Sequence, residues 1–238
     1  MRKNKTESVV CAACGNNQTH LVFKHSLYPI VSCNTCGLTY LSPRPTPQTI
    51  KNIYSQEYFE QGVVGNGYTD YASLRSDLHK EAQRRLKLIS NYIQKGKLLD
   101  AGCGHGDFLA EAQKYGFAVM GCDIAPSAVS YVKKAHKLPA VVAAISPGKL
   151  PKGSFDIITS WDVIEHMTNP KESLQAFHQI QKKSDYLFMT TPDINSIDAR
   201  MLGKFWYGFK RIPEHLYYFS PITMKCMLED VGYEVISI

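Results

Sequence analysis

No stretch of this 238-residue chain is apolar for long enough to act as a signal peptide or to span a bilayer. The basic start, MRKNKTES, leads into no such segment, so a cytoplasmic location is expected. No run of five basic residues occurs. The densest basic cluster, Lys80 to Lys87, has helical spacing with Glu81 interleaved, as on a solvated helix face. P-loop, HExxH and Ser-His-Asp patterns are all missing, which removes the usual signals of phosphoryl transfer, zinc proteolysis and triad hydrolysis. There are no internal repeats and no low-complexity tracts. Hydrophobic residues make up 44% of the chain, which excludes a disordered polymer. The length suits one α/β domain with a small added module.

Seven cysteines are present, an odd number, and a reducing compartment argues against disulfides. Four fall in two pairs, Cys11-Ala-Ala-Cys14-Gly15 and Cys33-Asn-Thr-Cys36-Gly37. A C-x-x-C turn lets two sulfurs converge on one ion. The glycine after each pair permits the left-handed residue that folds backbone N–H groups back toward the thiolates. Two such turns close a tetrahedron with no open position, which predicts a structural zinc at Cys11, Cys14, Cys33 and Cys36. Zinc with four thiolates would lower the formal charge of +6 to about +4. Cys103, Cys122 and Cys226 read as small hydrophobes. Residues 1–43 are therefore expected to form a zinc ribbon, with strands around 21–23 and 30–32 and a last strand at 38–41. Pro43, Pro45 and Pro47 should form a stiff connector that stops strand pairing. Thr46-Pro47 is a good start for a short helix reaching Tyr54.

Residues 44–96 read as linker and helical lid. They hold a glycine turn at 62–67 among Tyr54, Tyr58, Phe59, Tyr68 and Tyr71, then a helix from Leu74 to Ile93. Packing of those aromatics between modules is the equal alternative to a lid. From residue 97 strand and helix signals alternate, which predicts a parallel, doubly wound sheet. The segment LLDAGCGHGDF, residues 98–108, is the most informative: an apolar strand ends at Asp100 and breaks into Gly102, Gly104 and Gly106. Gly102 and Gly104 allow a tight turn and close approach of a ligand to the backbone. The next strand, 117–122, ends at Asp123, placed to accept hydrogen bonds from a ribose diol. A dinucleotide fingerprint would need glycine at 107, where this chain has Asp107.

The pattern resembles motif I of the class I S-adenosylmethionine (SAM) methyltransferases. Ser154–Ser160 looks like their fourth strand, Trp161–His166 like the loop and helix after it, and Asp185–Thr191 like their fifth strand. Pro213–Ser220 with Met224–Gly232 looks like the late helix and its lead-in. The resemblance covers residues 97–238 and implies a Rossmann-like α/β fold. Its implied SAM contacts are Asp100, Ala101, Gly102, Cys103, Gly104, Asp123, Ile124, Ser160, Trp161 and Asp162. Ala144-Ile145-Ser146 stands where many relatives carry an acidic residue near the adenine. The family's strand order is 3-2-1-4-5-7-6. Tyr233–Ile238 reads as strand 6, and no residues remain for strand 7. Either the chain is C-terminally shortened or the edge of strand 5 is covered in another way.

Oxygen and carbon acceptors need a base as well as SAM. Candidates are His166, with Glu165 and Asp162 placed to orient its ring or help hold a divalent ion, and His215, in Pro213-Glu-His-Leu-Tyr217. Asp-x-x-Glu-His resembles an acidic motif of ubiquinone-type O-methyltransferases. Alternatively, Glu165 and His166 cap and anchor a helix, and His215 is a hydrogen-bonded core histidine beside a packed aromatic hairpin, the insert at residues 204–211 that precedes it. Ribbon, connector and aromatic lead-in together resemble enzymes that methylate nucleotide-linked sugars or glycan precursors. RNA methylation is the runner-up, weakened because residues 11–42 hold a single basic residue, Lys24. A non-catalytic ribbon protein is the third reading. A small-molecule acceptor is thus the expected partner, with no nucleic acid and no membrane.

Overall fold

The computed structural model describes residues 5–53, 71–146, 148 and 152–238. Most of the aromatic lead-in expected to form a lid, including Tyr54, Tyr58, Phe59 and Tyr68 and the glycine turn at 62–67, lies outside the described residues. The chain divides into two compact units. One comprises residues 1–53, 162–178 and 190–238, the other 54–161 and 179–189.

The first unit begins with β1 (Thr6–Glu7), β2 (Thr19–Phe23), β3 (Ile30–Cys33) and β4 (Thr39–Leu41). β5 (Arg44–Pro45) pairs antiparallel with β1, and α1 spans Pro47–Ile53. The proline connector was expected to stop pairing, and it does not. Pro45 sits in a two-stranded ribbon, where its missing N–H can face outward. Thr46 caps α1, its hydroxyl accepting from the Thr49 amide at 3.4 Å.

The second unit holds a five-stranded sheet. α2 (Tyr71–Ser90) buries Ala82, Leu86 and Ile89 on one face. Then come β6 (Lys97–Ala101), α3 (Asp107–Lys114), β7 (Ala118–Asp123), α4 (Pro126–Tyr131), β8 (Ala140–Val142) and β9 (Phe155–Trp161). α5 (Pro170–Ile180), which lies in the first unit up to His178, leads back into the second unit and β10 (Gln181–Thr190). The order is β10-β9-β6-β7-β8, and β6 runs parallel to β7 and β9. The apolar runs of β6 and β9 bury Leu98, Leu99, Ile157 and Ile158 completely, as strands covered on both faces do. This is the expected doubly wound sheet, in the order 5-4-1-2-3 of the sequence reading.

The chain returns to the first unit with α6 (Ile197–Leu202), a short α7 (Tyr207–Lys210), β11 (Tyr217–Tyr218) and α8 (Pro221–Asp230). β11 joins the cysteine-bearing strands: the order is β11-β4-β3-β2, with Tyr217 opposite Tyr40 and Tyr218 opposite Thr39. Ile30, Tyr40, Leu41, Tyr217, Tyr218 and Phe219 are buried around this junction. The expected strand 6 is a correction. Residues 233–238 make no ladder, and a strand exists only through pairing. Tyr233 instead packs its ring on His178, with centroids 5.2 Å apart. Among the described residues β10 is the edge of its sheet.

Close packing of β6, β7 and α3 sets the glycine turn. A Cβ on Gly121 would lie 2.7 Å from Cys103 Sγ and 2.7 Å from Leu109 Cδ1. Gly121→Ala should therefore lower stability by ~1–3 kcal/mol through overpacking, read as a lower urea midpoint. An unchanged midpoint would mean that the β7–α3 contact is looser than described.

Candidate active site

At the carboxyl end of β6 the backbone turns sharply. The amides of Gly102 and Cys103 both donate to the Cys122 carbonyl, at 2.8 and 3.1 Å. Gly104 has φ +50, and a Cβ there would meet no heavy atom within 4 Å, so the turn opens a space above itself. Asp123, at the end of β7, is fastened by two amides: Gly104 donates to Oδ2 at 3.0 Å and Ala125 to Oδ1 at 2.9 Å. Burial raises its pKa while those amides hold it down. Asp100 is buried and accepts from Thr159 Oγ1 at 2.7 Å. Burial pushes its pKa up to about 7, against the bond from Thr159 and the charge of Arg85. Ala101 is fully buried, Cys103 nearly so, and Ile124 is exposed. Ser160 and Trp161 end β9. Among the described residues neither Ser160 Oγ nor Trp161 Nε1, both buried, finds a hydrogen-bond partner.

A second cluster forms in the other unit. The turn Ile164–His166 follows Asp162, and the Glu165 carbonyl accepts the Leu216 amide at 2.8 Å. Glu165 is 1% exposed. Its Oε2 accepts from Thr191 Oγ1 at 2.9 Å, while Oε1 lies 3.9 Å from His166 Nε2 and 4.0 Å from His215 Nε2. His166 Nδ1 is 3.0 Å from the Glu214 carbonyl, and His215 Nδ1 is 3.1 Å from the Gly208 carbonyl. A carbonyl only accepts, so each ring carries its proton on Nδ1 and turns an Nε2 lone pair toward Glu165. Burial lowers the pKa of His166 to about 4 and, with the neighbouring His166 adding to it, that of His215 to about 3. Burial raises Glu165 to about 8. Asp162 was expected beside Glu165 and His166, but its carboxylate accepts instead from Thr190 Oγ1 at 3.0 Å. It acts on Glu165 through its charge, which adds to the upward shift.

The four ribbon cysteines converge. Cys11 and Cys36 sulfurs are 3.4 Å apart, Cys14 and Cys33 sulfurs 3.5 Å, and all four lie within 4.8 Å of one another. A tetrahedron with Zn–S near 2.3 Å has sulfurs about 3.8 Å apart, so the donor set fits a closed zinc site. Gly15 and Gly37 follow the pairs with φ 74 and 75. At Cys33 burial raises the thiol's pKa, but the amides of Cys36 and Thr35 outweigh it and bring it to about 7.

A profile of the methyltransferase domain family matches residues 45–238. The chain belongs to the methyltransferase domain family. It is 29% identical over 163 residues to the ubiquinone biosynthesis O-methyltransferase of Xanthomonas campestris pv. campestris strain B100, covering 62% of this chain and 65% of that one. The Idiomarina loihiensis enzyme of the same name is 28% identical over 164 residues, covering 64% and 66%. The match thus spans just under two thirds of these relatives' length. In fold the chain is similar to magnesium protoporphyrin IX methyltransferase from Synechocystis PCC 6803 with bound SAH, at TM-score 0.61 and 14% identity, covering 80% and 90%. It is also similar to the [4+2]-cyclase SpnF, at TM-score 0.60 and 17% identity, covering 82% and 74%. The second likeness illustrates why chemistry must be argued from the site and not from the fold.

The residues at this strand end fit SAM. The turn at Gly104 is open, Asp123 is a fixed carboxylate, and Ser160 Oγ and Trp161 Nε1 are buried polar atoms at a strand's carboxyl end. Sequence reasoning missed Arg85, which was placed on a solvated helix face. Its guanidinium lies 4.5 Å over the Trp161 ring and its charge reaches Asp100. Helical spacing is the signal that could have found it, since Arg85 lies three residues after the buried Ala82 and four before the buried Ile89. Thr191, which the sequence places at a strand's carboxyl end, holds Glu165. No helix among the described residues is long and apolar enough to cross a membrane.

Two outcomes follow. Asp123→Ala removes a charged acceptor and should cost ~1.5–3 kcal/mol of SAM affinity by titration calorimetry; unchanged affinity would remove Asp123 from the ribose site. Glu165 keeps its proton in the folded protein up to about pH 8, but the unfolded chain ionises near 4.3. Rising pH through that window therefore favours unfolding. Glu165→Gln abolishes this contribution, so its Tm should fall less than wild type's between about pH 5 and pH 8. Parallel curves would contradict the raised pKa.

Proposed function

We propose that this methyltransferase methylates a hydroxyl group of a small-molecule acceptor, with Glu165, His166 and His215 handling the acceptor's proton. The observation that carries this reading is the convergence of two imidazole rings, through their Nε2 atoms at 3.9 and 4.0 Å, on one buried carboxyl group. SAM supplies, when bound, an electrophilic methyl group on a sulfonium. The chain's part is to hold and align: Gly102 and Gly104 bring backbone close to the cofactor, Asp123 takes the ribose hydroxyls, and Asp100, Ala101, Cys103, Ile124, Ser160, Trp161 and Asp162 are assigned to the same role. Arg85 is the cation suited to the cofactor's carboxylate. Alignment of this kind is worth about 7–11 kcal/mol in favourable cases.

His215 Nε2 accepts the hydroxyl proton, and an ionised Glu165 stabilises the resulting imidazolium. A histidine held near 3 is a poor base alone; the adjacent carboxylate compensates. The active form is thus neutral His215 with ionised Glu165, whose population grows as pH rises through about 8. Support for a small hydroxylated acceptor comes from relatives named for ubiquinone O-methylation. None of the relatives reported above is named for a nucleotide sugar, so the glycan-precursor reading rests on the ribbon, connector and aromatic lead-in alone. We also infer that Cys11, Cys14, Cys33 and Cys36 hold one structural zinc.

Methyl transfer from labelled SAM to a dihydroxybenzene-type acceptor, a nucleotide-sugar panel and a transfer RNA pool distinguishes the substrate classes. The phenolic arm is expected to be labelled. Labelling of the nucleotide-sugar or RNA arm alone would overturn this assignment. With the labelled acceptor, kcat should climb with pH toward a plateau above about 8. His215→Asn should lower it roughly 10²-fold with SAM affinity nearly intact. His166→Asn is the comparison, expected to affect the chemical step less. Full turnover in both variants would exclude the histidines. Elemental analysis should find about one zinc per chain, lost with unfolding of the ribbon in Cys33→Ser; metal-free protein with an ordered ribbon would refute the zinc site.

A further inference from the structure

The cysteine centre and the Glu165–His166–His215 cluster are distant in sequence and belong to one compact unit. Two hydrogen-bonded routes join them. In the first, the Cys33 amide donates to the Leu38 carbonyl at 2.9 Å, closing the second knuckle directly onto β4. β4 lies between β3 and β11, and the Leu41 amide donates to the Leu216 carbonyl at 2.9 Å. Leu216 in turn donates its own amide to the Glu165 carbonyl at 2.8 Å. His215 is the residue just before, and its carbonyl accepts from Tyr218 Oη at 3.3 Å. In the second route, Lys171 Nζ donates to the Ala13 carbonyl inside the first knuckle at 3.2 Å. Lys171 opens α5, five residues after His166, and also pairs with Asp230. Arg44, just past β4, binds the segment between His166 and α5: its Nη1 reaches the Thr168 carbonyl at 2.6 Å and Tyr217 Oη at 2.9 Å.

We propose that the four-cysteine centre is a positioning element of the reaction: metal bound at Cys11, Cys14, Cys33 and Cys36 fixes the backbone that aims His166, His215 and Glu165 at one another. The inference rests on the zinc reading above. Its physical basis is linkage. β4 has three residues and β11 two, too few to hold a register unaided, so what clamps the β3–β4 turn also sets β11. Two buried imidazoles keep a single tautomer only while the carbonyls of Glu214 and Gly208 stay in place. Both carbonyls belong to the segment that β11 terminates. The SAM turn at 100–104 and Asp123 lie in the other unit, with their own core, so its affinity should not depend on the metal.

The test uses the full-length protein with zinc as the probe. Zinc content is measured first. Then ring ¹⁵N spectra of His166 and His215, and SAM affinity, are compared before and after a chelator removes the metal. Zinc-loaded protein should show both rings as Nδ1–H tautomers. Stripped protein should show averaged tautomers with SAM affinity changed less than about twofold. Coupling is reciprocal, so a variant that loosens β11 must weaken zinc binding. Tyr217→Ala should lower zinc affinity about tenfold by chelator competition. Lys171→Ala, a surface change compatible with folding, should lower it less but measurably. Unaltered tautomers in stripped protein, or unaltered zinc affinity in both variants, would overturn the positioning role and leave the zinc site standing. Protein that binds no zinc would overturn both.

Discussion

Glu165 is buried with one oxygen bonded to Thr191 and the other turned toward two imidazoles beyond hydrogen-bond distance. An uncompensated carboxylate in such a place is costly, so the group holds its proton. That one constraint sets the state of its neighbours. His166 and His215 donate through Nδ1 to backbone carbonyls, and the Nε2 atom of each lies near the carboxyl group. The three side chains share very little charge at neutral pH, and a small rise in pH or an arriving proton redistributes it among them. Paired groups whose environments push their pKa values apart are the usual arrangement for acid–base work.

The same economy governs the cofactor side. Gly102, Gly104 and Asp123 form a unit in which the glycine turn donates to the very carboxylate that is assigned to the ribose. The turn and the carboxylate therefore cannot shift independently. Asp100 stiffens β6 against β9 through Thr159, and Arg85 adds a cation over Trp161. Placing the cysteine-bearing strands and the late β11 in one sheet gives the ribbon a core it could not build from its own residues. A metal held by the four cysteines would then anchor the chemistry as well as the folding.

Much of this was legible in the sequence. The apolar runs of β6, β7 and β9, the glycine turn and the two cysteine pairs are local signals, each set by residues within a dozen positions. What escaped was non-local. β11 is two tyrosines in an aromatic stretch, and nothing near them announces a partner at Thr39–Tyr40. Arg85 becomes a site residue only through contacts made across the fold. Asp162 looked like a companion of Glu165 because both lie near one turn, yet its φ of 56 turns it toward Thr190. Residues 233–238 carry an alternating pattern, but alternation predicts a strand only where an edge is available to pair with it.

The most direct measurement is the titration of Glu165 itself, by ¹³C NMR of the labelled side-chain carboxyl group with Glu165→Gln to assign the resonance. The structure predicts a midpoint near pH 8, shared in part by the ring signals of His215. A midpoint near the ordinary glutamate value of about 4.3 would show that the carboxyl group is already ionised at neutral pH. The proton-handling account of the cluster would then be wrong.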